Sequence, residues 1–398
     1  MNKKDSRIYL DYAASTPVDE QVVLAMKPYW SENFGNPGSI HKEGVRAKAA
    51  IDISRKSIAA TLCAKEDEII FTGNGTEANN LAIYGVANYL VHQKRDLSKM
   101  HFITSQIEHP SVLNLFQDLE ARGAHVTYIE VTPEGSVRPT DVMDVLKEDT
   151  VLVSIMFANN EIGTINQIAN IAKLIKAFRK QNTNAAYPYF HTDASQALIF
   201  SPINVEKLGV DLLTIDAQKI YGPKGIGALY KKRNTNIVQV IIGGNQEFGL
   251  RSGTESVPLI VGFAKALEIV EKNRGREGER LEGLRDHFLN LLKSLRTKIE
   301  INGDLENRAS NNVNISIPGI ESEYAVVLLD NMGIACGSRS SCVSNDSKES
   351  YVVEALGKSK EIALSSLRFT FGKDTSKEDI DYTFSCIKKI IANFDKSK

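Results

Sequence analysis

The chain has 398 residues, of which 42% are hydrophobic and 24% are charged. This composition is typical of a globular protein of two or three domains and excludes collagen-like, disordered and repeat-rich classes. The 48 Lys and Arg residues balance the 49 Asp and Glu residues to a net charge of −1. We therefore expect neither a nucleic-acid partner nor an electrostatic attraction to anionic membranes.

Four cysteines are present: Cys63, Cys336, Cys342 and Cys386. They are too few and too scattered for a disulfide framework, and no Cys-x-x-Cys pair offers a metal site. The longest apolar stretch, near residues 151–158, is far shorter than the roughly 18 residues of a membrane helix. The N-terminal five residues lack the apolar core of a signal peptide. These features predict a cytoplasmic protein with no metal and no membrane partner.

Short apolar strands alternate with amphipathic helices from about Thr16 to Gly262. This alternation predicts an α/β fold with a mostly parallel sheet covered by helices on both faces. The first helix is expected to begin at Pro17, and residues 44–63 carry the apolar spacing of another helix. Strands are predicted at 68–72, 101–104, 125–129, 151–157, 189–192 and 211–215.

The pattern changes beyond about Glu255, where a smaller α+β domain is predicted. Its elements, in chain order, are a long charged helix through 272–280 towards Leu295, a strand at 312–317, a helix near 321–331, a Ser/Gly-rich stretch at 337–350, a short helix, a strand at 366–370 and a closing helix from Lys377.

A glycine-rich turn follows the strand at 68–72. It reads Gly73-Asn-Gly-Thr-Glu77 and leads into a helical segment at 78–84. Backbone N–H groups at a helix N-terminus can bind a phosphate, and the glycines permit close approach. The same pattern also fits a simple strand-to-helix connection.

Two strand ends carry groups suited to pyridoxal phosphate. Asp193 ends one predicted strand, and Lys219 follows the next. Side chains at the carboxyl ends of neighbouring parallel strands converge on one crevice. There a lysine can form a Schiff base with the cofactor, and a carboxylate can keep its pyridine nitrogen protonated. A structural ion pair is the alternative interpretation.

His109 and Asn160 are further candidates, each placed after an apolar strand. The imidazole of His109 can stack on a planar cofactor and exchange protons near neutral pH. The Asn160 amide can reach a cofactor hydroxyl or the substrate. A hydrogen-bonded structural His and a strand-end amide capping a turn are the alternatives.

Cys342 lies in a stretch almost without apolar side chains, whereas Cys63 and Cys386 lie among aliphatic residues, as expected of buried structural cysteines, and Cys336 is expected to face the core. A thiol on a polar loop suggests a nucleophile, although an incidental surface Cys fits as well. Arg368 can present a planar fork to a substrate carboxylate, or it can be a surface strand residue.

Together these segments resemble the pyridoxal-phosphate-dependent cysteine desulfurases of the NifS/IscS type. The resemblance runs from Tyr9 almost to the C-terminus. The motifs that carry it, in the order of the family, are Tyr9-Leu-Asp-Tyr-Ala-Ala14, Gly35-Asn-Pro-Gly-Ser-Ile-His41, Gly75-Thr-Glu77, Ile107-Glu-His109, Asn159-Asn-Glu-Ile-Gly163, Asp193-Ala-Ser-Gln196, Lys219-Ile-Tyr-Gly-Pro-Lys-Gly-Ile-Gly227 and Arg251-Ser-Gly-Thr254.

The resemblance implies a fold-type I pyridoxal enzyme that works as a homodimer and converts L-cysteine to L-alanine, passing the sulfur to an acceptor protein for iron–sulfur cluster assembly or tRNA thiolation. It implies a large cofactor domain at 17–262 and a small domain made of 1–16 and 263–398, with the cysteine loop at 337–350.

The resemblance also assigns roles to single residues. Lys219 would carry the cofactor, with Asp193 at the pyridine nitrogen, Gln196 at the phenolic oxygen and His109 on the ring. The remaining assignments are the phosphate ligands Gly75 and Thr76, Thr254 reaching in from the partner subunit, the substrate-orienting Asn160 and Arg368, and the sulfur-accepting Cys342.

The chain departs from the family at two places. Ser-x-His-Lys of the family, in which Ser and His help to bind phosphate, is replaced by Asp216-Ala-Gln218-Lys219, and Gly-Gly-Gly-Gln-Glu reads Gly243-Gly-Asn-Gln-Glu247. A carboxylate about 4 Å from a phosphate charge is repelled by roughly 4 kcal/mol at an effective dielectric near 20. Asp216 must therefore turn away, take a proton or pair with a cation such as Arg251 or Lys224.

Two other functions are compatible with these residues. A selenocysteine lyase or another pyridoxal aminotransferase would keep Lys219 and Asp193 without needing Cys342. A weakly active protein that docks sulfur acceptors would follow if Asp216 and Gln218 prevented cofactor binding. The visible absorption of the bound cofactor separates the last alternative from the enzymes.

Overall fold

The computed structural model describes residues 7–181, 186–295, 299–338 and 349–397. The strands are β1 (Ile8–Leu10), β2 (Ile69–Thr72), β3 (His101–Ser105), β4 (His125–Ile129), β5 (Thr150–Ser154), β6 (Tyr189–Asp193), β7 (Leu212–Asp216), β8 (Gly227–Lys231), β9 (Glu300–Asn302), β10 (Asn312–Ser316), β11 (Ile334–Cys336) and β12 (Ser366–Thr370).

The helices are α1 (Glu20–Met26), α2 (Pro28–Ser31), α3 (Lys42–Leu62), α4 (Gly75–His92), α5 (Pro110–Ala121), α6 (Pro139–Val145), α7 (Ile168–Gln181), α8 (Val205–Leu208), α9 (Gln246–Gly249), α10 (Val257–Lys293), α11 (Ser322–Asn331), α12 (Tyr351–Ala355), α13 (Lys360–Leu364) and α14 (Lys377–Ser397). Short 3₁₀ turns lie at Glu66–Glu68, Leu97–Lys99 and Ala217–Lys219.

The α/β fold is confirmed by a seven-stranded sheet in the order β2-β8-β7-β6-β5-β3-β4. The pairs from β7 to β4 are parallel, whereas β8 is antiparallel to both of its neighbours. No strand was predicted at β8, since its sequence Gly-Ala-Leu-Tyr-Lys begins with two residues of low β-propensity. Pairing with β2 and β7 on either side makes this segment a strand.

Helices cover both faces of this sheet, as the alternating pattern predicts. In β2, Ile69 and Phe71 belong to the apolar cluster that contains residues of α3 and α10. Ile70 points to the opposite face and joins a second cluster with residues of α4 and α5. Successive strand residues face opposite sides, so one short strand contributes to two cores.

The predicted boundaries need two corrections. The first helix begins at Glu20 rather than Pro17, because the Asp19 carboxylate accepts the Gln21 N–H at 2.9 Å and caps the helix there. The strand predicted at 151–157 ends at Ser154, although the N–H groups of Ile155 and Phe157 still donate to carbonyls of the β6 segment.

A smaller α+β unit is built around an antiparallel sheet in the order β12-β10-β9 and a parallel pair of β1 with β11. The first strand of the chain therefore pairs with a strand more than 300 residues later. The 37-residue helix α10 links the two cores: Val257 to Val270 pack in the large core, and Leu281 to Leu292 pack in the small one. The predicted boundary at 262/263 falls inside this helix, and the division into two domains stays a prediction.

None of the helices within the described ranges is long and apolar enough to span a membrane.

Candidate active site

A cavity opens at the carboxyl ends of β6 and β7, next to the N-terminus of α4. Parallel strands place the residues that follow them at the same edge of the sheet. The cavity is lined by Ala13, Ala14, Gly75, Thr76, His109, Ser111, Met156, Ala158, Asn160, Asp193, Ser195, Gln196, Asp216, Gln218, Lys219 and Arg368. Every candidate residue named from the sequence that the structure describes lies here except Thr254.

Lys219 ends the 3₁₀ turn that follows β7. Its ammonium donates to the carbonyl oxygens of Ala13 and Ala14, at 2.7 and 2.8 Å. These carbonyls belong to the segment after β1, so the N-terminal part of the chain positions the amine in the cavity. The motif at 9–14 carried part of the resemblance but had no assigned role.

Two donors orient the Asp193 carboxylate. Its Oδ2 accepts from Asn79 Nδ2 at 2.8 Å, and its Oδ1 accepts from the Ser195 N–H at 2.9 Å. Asn79 lies on α4, where it reads as an ordinary helix residue in the sequence. Both carboxylate oxygens are thus fixed by neutral donors, and the negative charge remains available to a cationic partner in the cavity.

His109 caps the N-terminus of α5, whose first residue is Pro110. Its Nδ1 accepts from the Ser111 N–H at 3.1 Å and lies 2.8 Å from Ser111 Oγ, which in turn accepts from Asn79 at 2.8 Å. Burial lowers the pKa of His109 below its usual value. The imidazole is therefore neutral at pH 7, with its proton on Nε2 because Nδ1 is an acceptor.

Behind His109 lies a second acid that the sequence analysis missed. Glu108 is fully buried, and burial raises the pKa of its carboxyl to about 8. Its Oε1 accepts from Ser105 Oγ at 2.7 Å and from the Met156 N–H at 2.9 Å, while Oε2 has no hydrogen-bond partner among the described residues. The group is a neutral acid at pH 7, with Oε2 as the oxygen that holds the proton.

Arg368 and Asn160 meet on the side of the cavity formed by the small unit. Arg368 is fully buried on β12, so it is not the surface arginine of the alternative interpretation. Its guanidinium donates to Asp11 Oδ1 at 2.8 Å and to the Asn160 carbonyl at 3.1 Å. The prediction that Asn160 directly follows a strand is wrong, because β5 ends six residues earlier.

The N-terminus of α4 forms the other end of the cavity, where a phosphate is predicted. The Gly75 N–H donates to Asp216 Oδ2 at 2.9 Å. A Cβ at position 75 would lie only 3.1 Å from that oxygen and 3.3 Å from Ser195 Oγ, so the close approach requires glycine. Gln218 donates to Asp216 from its backbone N–H at 3.1 Å and its side-chain amide at 3.3 Å.

The four cysteines divide into three groups. Cys336 and Cys386 are buried, as predicted, and burial raises the pKa of the Cys336 thiol to about 12. The prediction that Cys63 is buried is wrong: it ends α3 in a left-handed conformation with φ 55° and is exposed. Cys342 lies outside the described residues. Thr254, a described candidate that does not line the cavity, is exposed.

The residues present fit pyridoxal phosphate. An amine and a carboxylate line one cavity, and a helix N-terminus closes its far end. Asn160 Oδ1 and Arg368 Nε are buried with no hydrogen-bond partner in the described part of the chain, and both residues line the cavity. Buried polar atoms without partners are costly, so these two atoms are suited to polar groups of a bound molecule.

Comparisons with known proteins agree with this geometry. Residues 8–383 match the class V aminotransferase family. The chain is 44% identical over 384 residues to cysteine desulfurase IscS of Dictyoglomus turgidum, covering 96% of this chain and 94% of that protein. It is 40% identical over 393 residues to cysteine desulfurase IscS of Clostridium botulinum, covering 98% and 95%.

Two solved structures are similar over nearly the whole chain. A NifS-like protein is 33% identical, with a TM-score of 0.88, and the match covers 97% of this chain and 99% of that one. A NifS-like protein from Rickettsia africae is 30% identical, with a TM-score of 0.82 and the same coverage.

Proposed function

The chain belongs to the class V aminotransferase family and is a cysteine desulfurase that uses pyridoxal phosphate, and we propose which of its residues hold the cofactor, orient the substrate and accept the sulfur. Lys219 binds the cofactor covalently and Cys342 accepts the sulfur. The observation that carries the proposal is the shared cavity of Lys219, Asp193 and Arg368.

The cofactor is held at three points. Lys219 would hold it covalently, Asp193 would pair with its pyridine nitrogen, and the first turn of α4 would receive its phosphate. When bound, pyridoxal phosphate supplies an electron sink for negative charge at the substrate α-carbon. His109 would stack on its ring, and Gln196 would donate to its phenolic oxygen.

The substrate is oriented by Arg368 of the small unit and Asn160 of the large unit. Arg368 Nε and Asn160 Oδ1 are buried atoms of cavity-lining residues with no partner among the described residues, and they are suited to the carboxylate and amino groups of L-cysteine. Because Asp11 already holds one arm of the Arg368 guanidinium, the fork is fixed before substrate binds.

Sulfur transfer balances without an added oxidant. The Cys342 thiolate attacks the substrate sulfur, so that an S–S bond forms and the C–S bond of L-cysteine breaks. The β-carbon of the substrate takes up a proton in place of the sulfur, which balances the proton lost by the Cys342 thiol. L-alanine then leaves. Cys336 cannot take this role at neutral pH, because its buried thiol stays protonated.

We further propose that the protein is a cytoplasmic homodimer that passes its persulfide to an acceptor protein for iron–sulfur cluster assembly or tRNA thiolation. Large apolar side chains exposed on the N-terminal segment through α3 and on α9 support a dimer face: Trp30, Phe34, Ile40, Ile53 and Phe248. A monomer in sedimentation equilibrium at micromolar concentration would contradict the dimer.

The test of the proposed function is the pair of variants Cys342→Ser and Cys336→Ser. We expect Cys342→Ser to bind pyridoxal phosphate and L-cysteine but to release no sulfide above background, since a hydroxyl does not accept sulfur. Cys336→Ser should retain most of the activity. Sulfide and alanine release, followed by mass spectrometry of the persulfide, measure both. Persulfide on Cys336, or normal turnover by Cys342→Ser, would contradict the assignment.

A further inference from the structure

The N-terminus of α4 already binds an anion of the chain itself. Asp216 Oδ2 accepts the Gly75 N–H at 2.9 Å, and Asn74 Oδ1 accepts the Glu77 N–H at 2.8 Å. A phosphate bound at this turn must lie against the Gly75 N–H, which is the donor that Asp216 now uses. The carboxylate and the phosphate therefore meet at one position.

Asp216 does not avoid the phosphate by turning away. It is buried, it lines the cavity, and three N–H groups hold it there: that of Gly75 and the two of Gln218. The backbone also restrains it, because Asp216 pairs with Gly227 of β8 at the end of β7. Rotating the side chain out would leave these donors to be satisfied by the phosphate alone.

A cation does not neutralise Asp216 either. Arg251 donates instead to Glu77, at 2.8 and 3.3 Å, and Lys224 is exposed and lines a different cavity. Among the described residues, no Lys, Arg or His nitrogen lies within ion-pair distance of Asp216. Gln218, where the family has histidine, carries no charge.

The other charged groups near the turn are held elsewhere. Asp193 is bound by Asn79 and Ser195, and the Lys219 ammonium donates to the carbonyls of Ala13 and Ala14. The remaining titratable groups of the cavity, His109 and Arg368, come from α5 and β12. On β8, the residue opposite Asp216 is a glycine and contributes no charge.

We propose that Asp216 makes cofactor binding proton-coupled: the phosphate of pyridoxal phosphate binds with one additional proton, shared between the phosphate and the Asp216 carboxyl. This inference rests on the proposed cofactor site. A phosphate monoester loses its second proton near pH 6, so at pH 8 the proton must come from solvent. It converts two facing acceptors into a donor and an acceptor, O–H···O, and removes one negative charge from the turn.

The experiment compares the wild-type apoprotein with Asp216→Asn, which keeps the side-chain shape but cannot be an anion. Titration calorimetry with pyridoxal phosphate in buffers of different ionisation enthalpy counts the protons taken up on binding. Protons exchanged in bonding to Lys219 are common to both proteins and cancel in the difference. We expect the wild type to take up about one proton more than the variant at pH 8.

Cofactor affinity provides a second readout. Relative to Asp216→Asn, the wild-type Kd should rise about tenfold for each pH unit above 7. Phosphorus NMR of the bound cofactor should show a protonated phosphate at a higher pH in the wild type than in the variant. Asp216→Ser repeats the comparison should the asparagine variant fold poorly.

Asp118→Asn is the control, because it removes a carboxylate on α5 whose partners, Tyr84 and Arg122, do not line the cavity. Its proton count should equal that of the wild type. Equal proton counts and parallel Kd profiles in wild type and Asp216→Asn, with cofactor bound to both, would overturn the shared proton and leave the proposed function intact. Failure of both proteins to bind pyridoxal phosphate would overturn the proposed site and the shared proton together.

Discussion

The two ends of the cavity differ in how they are arranged to bind a charged group of the cofactor. At the ring end, Asp193 is held by neutral donors, and in the proposed site its charge faces a cationic nitrogen of the cofactor. At the phosphate end, the helix N-terminus that should receive an anion is already occupied by Asp216. The ring end follows the family pattern, and the phosphate end departs from it.

Because of this difference, we expect residues at one end to affect the reaction rate and residues at the other end to affect cofactor affinity. In the proposed site, groups at the ring end face the part of the cofactor where charge changes during the reaction, so their loss should lower kcat. Groups at the phosphate end contact a part that does not react, so their substitution should change the cofactor Kd with little effect on kcat. The predictions below test this separation.

The largest effect is expected for Lys219→Ala, since no other described amine lines the cavity. Turnover should fall by at least about 10³-fold, and the protein should not form a covalent bond to the cofactor. Borohydride reduction followed by peptide mapping checks this. Lys224→Ala is the control and should keep both properties. A label on Lys224 in the wild type would refute the assignment.

Asp193→Asn should lower kcat by about 10²-fold, because it removes the charge that stabilises a protonated pyridine nitrogen. Asn79→Ala removes one donor to Asp193 but leaves the charge, so we expect a smaller loss. Steady-state kinetics with saturating cofactor measure both. An equal loss in the two variants would mean that orientation, rather than charge, is the contribution of Asp193.

Glu108→Gln tests the buried acid behind the ring end through stability. The pKa of Glu108 is raised to about 8 in the folded protein, above its ordinary value near 4.5. The folded state therefore binds more protons than the unfolded state between these pH values, and wild-type stability falls as pH rises through this window.

Glutamine has no proton to lose, so the variant should be more stable than the wild type at pH 8, by roughly 4 kcal/mol, with this pH-dependent difference vanishing near pH 4.5. Urea unfolding at several pH values measures this. A pH-independent difference would show that Glu108 does not titrate in this range.

The smallest effect is expected at the phosphate end. Gln218→His should tighten pyridoxal phosphate binding by about fivefold, because an imidazolium donates a charge-assisted hydrogen bond where the amide donates a neutral one. Cofactor titration of the apoprotein gives the Kd, and kcat should stay within about twofold. Gln218→Leu is the control and should weaken binding. A large loss of kcat in Gln218→His would show that the phosphate end affects the reaction rate as well as cofactor affinity.

The sequence was sufficient for much of the ring end. Asp193, Lys219 and His109 each follow an apolar strand of a parallel pattern, and the topology of such sheets brings these ends together regardless of detail. The antiparallel strand β8 was not predictable in this way, because its pairing depends on neighbours distant in the chain.

The partners of the site residues came only from the tertiary structure. Asp11 on Arg368, Asn79 on Asp193 and the Ala13 and Ala14 carbonyls on Lys219 join residues more than 100 positions apart. Periodicity reports which face of an element is buried, but it carries no information on which distant group lies opposite.

Asp216 shows most clearly which properties follow from the sequence and which depend on the tertiary structure. By itself the sequence determined the residue type, its place after a strand and the unfavourable charge it brings near a phosphate. Among its possible responses, turning away, pairing with a cation or sharing a proton, the choice depended on the positions of Gly75, Arg251 and Glu77. Electrostatic energies depend on distances and burial, and those quantities exist only once the chain has folded.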